Sequence, residues 1–207
     1  LQAIAERIKQ ELQCPLKDAA TNLVFGKGNP DAKILFVGEA PGQQEDLQGY
    51  PFVGRAGKQL DKLLHSINLG IDDVYIANIL KYRPPKNRDP TPEEIRNHTP
   101  YLIEQIQVIK PTVIATLGNY ATKFVLPGFD PDGMRKIPGI STLHGQAKEM
   151  SVDGYQFTVV PIYHPAAMLY RPQLKETFDQ DFEVMRNIIT DGADKKEDDA
   201  QKSLMDF

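Results

Sequence analysis

Four short apolar runs dictate most of what this chain can fold into: AKILFVG (32–38), DVYIANIL (73–80), TVIATLG (112–118) and FTVVPIY (157–163). Each is rich in β-branched residues and carries at most one charge. All are too short for a stable helix, so they read as strands buried on both faces. Between them lie segments of helical period: GKQLDKLLHSI (57–67), a stretch from Thr91 to about Ile109, and NYATKFVL after the third run. An amphipathic segment (2–13) precedes the first run and another (172–189) follows the last. Thr91-Pro92-Glu93-Glu94 is a strong helix start, with a capping hydroxyl, a proline in the first turn and acids at the positive end of the dipole. Strands alternating with helices predict a three-layer α/β/α domain over residues 1–190, around a central four-stranded parallel sheet.

In such sheets ligands bind beyond the carboxyl ends of the strands. Those ends carry Gly38-Glu39-Ala40-Pro41-Gly42, Asn78, Thr116-Leu117-Gly118 and Tyr163-His164-Pro165. A carboxylate, an amide and an imidazole are thus brought to one edge, which predicts an active site there. The segment 38–60 holds five glycines, yet it has neither the spacing of a dinucleotide loop nor the GK[ST] ending of a phosphate loop. From the residues alone, Phe52 reads either as core or as part of a site. Glu39 reads as a cap, an ion-pair partner or a catalytic acid.

Charge is unevenly spread. The chain holds 24 Lys+Arg and 28 Asp+Glu, a net of −4. The segment 191–207, DGADKKEDDAQKSLMDF, has six acids and three lysines, so −3 of the −4 lies there and −1 on the other 190 residues. It is expected to be a flexible tail. KYRPPKNR (81–88) holds four cations and no acid, and its prolines limit the entropy lost on docking to phosphates. The single cysteine excludes an internal disulfide framework and an all-cysteine metal centre within one chain. No apolar run reaches membrane-spanning length, and the amphipathic start differs from a signal peptide. A monomer working in the cytoplasm is expected, away from any membrane.

Taken in order, GEAPG, ED, PFVGRAG, VYIANILKYRPPKNR, TLG and HPAAML resemble the motifs of the family 4 uracil-DNA glycosylases, across residues 14–189. The resemblance implies a four-stranded parallel sheet between helices. It also implies hydrolysis of the N-glycosidic bond of deoxyuridine in DNA, leaving an abasic site. In that setting Phe52 would stack on the flipped base, Ala40 would shape the pocket wall, and Asn78 would pair with the uracil edge. His164 would donate to the uracil oxygen where charge gathers. Either Glu39 or Glu45 would orient the water or stabilise the cationic sugar. Leu169, with Met168 next, would fill the gap in the duplex, although a turn packing its own Met and Leu on the core fits as well. Arg83, Lys86, Arg88, Gly118, Asn119, His144 and Arg171 are the candidate backbone contacts to DNA.

The resemblance breaks at the metal. Family members carry a [4Fe–4S] cluster on four cysteines, and alignment of the flanking motifs puts those positions at Glu11, Cys14, Tyr82 and His98. With one thiolate left, no cluster is expected. Residues 201–207, QKSLMDF, also resemble a peptide that docks on a sliding clamp. Two other readings keep the fold: excision of another deaminated base such as hypoxanthine, and non-catalytic binding of damaged DNA. A small-molecule phosphohydrolase fits the fold class, but the phosphate-loop and metal-ligand signatures it would need are missing from this sequence.

Overall fold

The computed structural model describes the backbone of residues 1–205 and the side chains of residues 1–190. The expected tail (191–207) and the clamp-like peptide (201–207) therefore lie outside the residues with described side chains. All four apolar runs form strands: β2 (Ile34–Gly38), β3 (Val74–Asn78), β4 (Val113–Leu117) and, after the minor β5 (Lys148–Val152), β6 (Tyr155–Ile162). β1 (Lys27–Gly28) is a two-residue strand. The sheet order is β1-β3-β2-β4-β6-β5.

The expected sheet of four parallel strands is therefore corrected to a six-stranded mixed sheet. Its parallel centre is β3-β2-β4-β6, and β1 and β5 add to the two edges antiparallel. The β5 edge follows from local chemistry. Asp153 and Gly154 adopt φ of 47° and 81°, the left-handed pair that a tight hairpin between twisted strands requires. β5 is largely exposed, with a Lys and a Glu on it, as suits a sheet edge.

Alternation along the strands splits the core in two. Leu35, Val37, Ala77 and Ile79 face one layer, with α1 (Gln2–Glu11), α5 (Pro92–Ile109) and α6 (Gly118–Val125). Ile34, Phe36, Ile76 and Ala115 face the other, with α4 (Arg55–Ser66) and α9 (Lys175–Met205). The short helices α2 (Pro15–Ala19), α3 (Gln43–Gln48), α7 (Ile140–Leu143) and α8 (Ala167–Tyr170) sit in the connections. Thr91 caps α5 in a full capping box with Glu94, as its sequence predicts. Among the described residues no helix is long and apolar enough to cross a membrane.

Candidate active site

The carboxyl ends of β2 and β3 and the turn after β6 enclose a cleft of about 200 Å³. Glu39, Ala40, Glu45, Phe52, Asn78, Arg88 and His164 line it, with Pro41, Gly42, Ala56, Pro84 and Asn87. Asn78 ends β3, level with Gly38 on β2, and is 2% exposed. Its Oδ1 is buried and accepts no hydrogen bond. A buried acceptor without a donor costs free energy, so its presence at a cleft floor points to a ligand N–H. Gly38 makes the approach feasible: a Cβ there would lie 2.3 Å from Asn78 Oδ1 and 2.9 Å from the Phe52 ring.

Phe52 is held by its backbone. It sits at φ 51°, and its carbonyl accepts from Lys27 Nζ at 3.1 Å. The next two amides, Val53 N–H and Gly54 N–H, donate to Glu45 Oε1 at 3.0 and 2.8 Å. Below them a Cβ on Gly57 would meet the Phe52 carbonyl oxygen at 1.9 Å. Gly57→Ala is therefore expected to push Phe52 from its place and cost about 1–3 kcal/mol of stability. Urea unfolding checks this, and an unchanged midpoint would contradict it.

The two glutamates have different surroundings. Glu45 Oε1 is committed to the Val53 and Gly54 amides, bracing the turn that presents Phe52. Glu39 has its carboxyl in the cleft, where burial, helped by nearby Asp89, pushes its pKa up to about 7. A carboxylate tuned near neutrality is suited to taking a proton from water.

His164 follows β6, with its ring 5.7 Å from that of Phe52. Its Nδ1 accepts from Ala166 N–H at 3.2 Å, which puts the proton of the neutral ring on Nε2. Burial pulls its pKa down to about 4, against the opposing charge of Glu45. The imidazole is thus a neutral donor at neutral pH. Gly118, at φ 88°, packs beneath it, and a Cβ there would lie 3.0 Å from His164 Cβ.

The candidate DNA contacts are dispersed. Arg88 is forked onto Glu94 at 2.9 and 2.5 Å, and Arg83 donates to Asn87 at 2.7 Å. Lys86 is exposed on the same loop, as is Arg171 beyond α8. Asn119 Oδ1 accepts from Ile140 N–H at 2.8 Å, so its amide builds the fold locally. His144 Nδ1 lies 3.0 Å from the buried Asp181 carboxylate, a partner with no sequence signal. Leu169 is half-buried, Met168 packs against the core, and the outermost apolar side chain of α8 is Tyr170, 77% exposed. Lys81 corrects the reading of the basic loop: it is fully buried and cannot reach a phosphate.

The uracil DNA glycosylase superfamily model matches residues 25–187. The chain belongs to that superfamily. Within it the similarity runs to the type-4 branch. The chain is 48% identical over 182 residues to the type-4 uracil-DNA glycosylase of Archaeoglobus fulgidus, covering 88% of this chain and 89% of the relative. It is 39% identical to the type-4 enzyme of Thermotoga maritima, covering 91% and 94%. The type-5 uracil-DNA glycosylase of Pyrobaculum aerophilum is 31% identical over 68% of this chain and 64% of its own length.

For a type-4 member, the residues at the cluster positions do not fit a cluster. Cys14 is the only thiol in the chain and lies buried in the apolar core, one ligand where a cluster takes four. Tyr82 and His98 fill the space with packed rings, edge to face at 6.3 Å. His98 donates from Nδ1 to the Glu94 carbonyl at 2.7 Å, and Glu11 turns out to solvent beside Arg7. Among the described residues no group of three or more His, Cys, Asp or Glu could hold a metal ion. Apolar and aromatic packing ties α1 to α5 and the basic loop here.

Proposed function

We propose that this type-4 uracil-DNA glycosylase performs base-excision repair on uracil with the cleft residues in the following roles. The observation that carries the reading is the buried, partnerless Asn78 Oδ1 beside the Phe52 ring and a neutral imidazole. Uracil offers an N3–H donor beside the O4 acceptor, which an amide meets with its Oδ1 and Nδ2. Cytosine presents the reverse pattern and would leave Oδ1 facing a lone pair. Phe52 stacks on the flipped ring, which any base tolerates, so selection rests on Asn78.

In the reaction the C1′–N1 bond breaks, and the bonding pair leaves with uracil. His164 Nε2–H donates to the uracil oxygen as that charge develops. Glu39 takes a proton from the water that adds to C1′, giving the abasic sugar. Glu45 acts through the turn that presents Phe52, which favours Glu39 as the acid that meets the water.

Because the carboxylate is the active form, the rate should fall about tenfold per pH unit below about 7 and level above it. Glu39→Gln should flatten that limb at a rate lower by about 10²–10⁴. A wild-type rate that is flat from pH 5 to 8 would contradict the assignment.

Around the cleft, Lys86, Arg83 and Arg171 supply the positive rim for the phosphate backbone, with the Gly118, Asn119 and His144 segments nearby. Leu169 and the rest of α8 face the gap in the duplex. Residues 201–207 are proposed as a clamp-docking peptide, which deletion of 200–207 tests by loss of clamp binding. A monomer in the cytoplasm suits this substrate and the unpaired cysteine.

The reading is tested with oligonucleotides carrying uracil, hypoxanthine or no lesion, followed by alkali. Scission of the uracil strand alone supports it. Scission of the hypoxanthine strand, or tight binding without scission, would overturn it.

A further inference from the structure

The basic loop begins with a lysine that never reaches the surface. Lys81 is 0% exposed, and it is the only lysine or arginine among the buried described residues. Its side chain folds back under its own turn, so that Nζ donates to the main-chain carbonyl of Asn78 at 2.8 Å. A second donation runs to Gln105 Oε1 on α5 at 2.5 Å. Gln105 is itself fully buried and donates from Nε2 to the Phe25 carbonyl at 3.1 Å, while the Phe25 ring lies 5.9 Å from Nζ. The clamp therefore connects the end of β3, helix α5 and the segment before β1.

Burying an amine costs several kcal/mol, and a leucine or methionine would fill this space without that cost. What the amine adds is a fixed main chain at the residue whose amide reads the base. Two further bonds pin the same turn from β2: Ile79 N–H to the Gly38 carbonyl and Leu80 N–H to the Glu39 carbonyl, at 2.9 and 3.0 Å. Asn78 Oδ1 has no protein partner to aim it. Its direction is therefore set by its backbone and by its packing over Gly38. Burial pushes the Lys81 pKa down to about 7, but the clamp does not depend on charge, because a neutral amine still has two N–H donors for its two oxygens.

We propose that Lys81, braced by Gln105, is a positioning residue for base recognition: it holds the Asn78 carbonyl and so aims the Asn78 amide at the uracil edge. The proposal rests on the reading of Asn78 as the uracil-selecting residue. A wild-type protein that releases no uracil would defeat that reading, whereas the variants below address Lys81 within an active enzyme.

The test is Lys81→Met, close in volume and apolar, and Gln105→Leu, which touches no cleft residue. Three quantities are measured: the single-turnover excision rate, inhibition by free uracil, and affinity for abasic-site DNA. The expected result for Lys81→Met is a rate roughly 10- to 100-fold lower, the range seen when groups that orient a functional side chain are removed. Inhibition by free uracil should weaken in parallel while abasic-DNA affinity holds. A residue with only a structural role would not separate uracil affinity from DNA affinity. A folded Lys81→Met protein with wild-type rate and uracil inhibition would overturn the proposal, as would a loss confined to DNA affinity. If Lys81→Met fails to fold, Gln105→Leu decides: a lower rate with weakened uracil inhibition supports the clamp, and wild-type behaviour refutes it.

Discussion

Asn78→Ala is expected to lower the single-turnover rate of uracil excision by about 10²–10³, the loss typical of a preorganised hydrogen-bonding group in a water-excluded site. The residue ends a strand paired in register with β2, so alanine leaves the strand intact and removes only the amide. The variant should in fact be no less stable, because it deletes a buried acceptor that has no partner in the free protein. Loss of rate without loss of stability marks a group kept for the ligand. Thermal melting and single-turnover kinetics on one preparation check both halves. A near-wild-type rate would show that the uracil edge is read elsewhere.

His164→Ala should cost a similar factor, about 10²–10³ in the chemical step, because it removes the donor proposed to meet the charge on the departing base. The neutral state sharpens this expectation. With its pKa near 4, the ring gains no proton across the range where an ordinary histidine titrates, near 6.5. The wild-type limb near pH 7 therefore belongs to Glu39 and should persist in His164→Ala at a lower plateau. Disappearance of that limb in the variant would assign it to the imidazole instead. DNA affinity should change little, since His164 lies in the cleft beside Phe52 and not among the exposed cations.

These two side chains are legible in the sequence, because strand ends in an α/β sheet announce where a site must lie. The same holds for the four central strands and the Thr91 cap. Other features were harder to read for identifiable reasons. The β5–β6 hairpin had its signal in Asp153-Gly154, but the exposed, charged β5 lacks the apolar run that marks the central strands. β1 is two residues long and is defined by its neighbour β3. Lys81 looked like part of a basic loop because composition cannot tell a side chain that folds back under its turn from one that extends into solvent. Glu39 and Glu45 looked equivalent for a related reason. Only the fold shows that Glu45 is bound to the two amides after Phe52 while Glu39 lies in the cleft with a raised pKa. The Asp181 partner of His144 lies 37 residues away, a separation that no local pattern reveals.

A type-4 uracil-DNA glycosylase with one cysteine is expected to excise uracil without a cluster. The most direct measurement takes a single purified sample, quantifies its iron and acid-labile sulfide, and follows release of free uracil from uracil-containing DNA. Full turnover at iron far below stoichiometry, unchanged after chelation, is the expected result. Stoichiometric iron and sulfide, or an activity that follows the iron content from one preparation to the next, would contradict it.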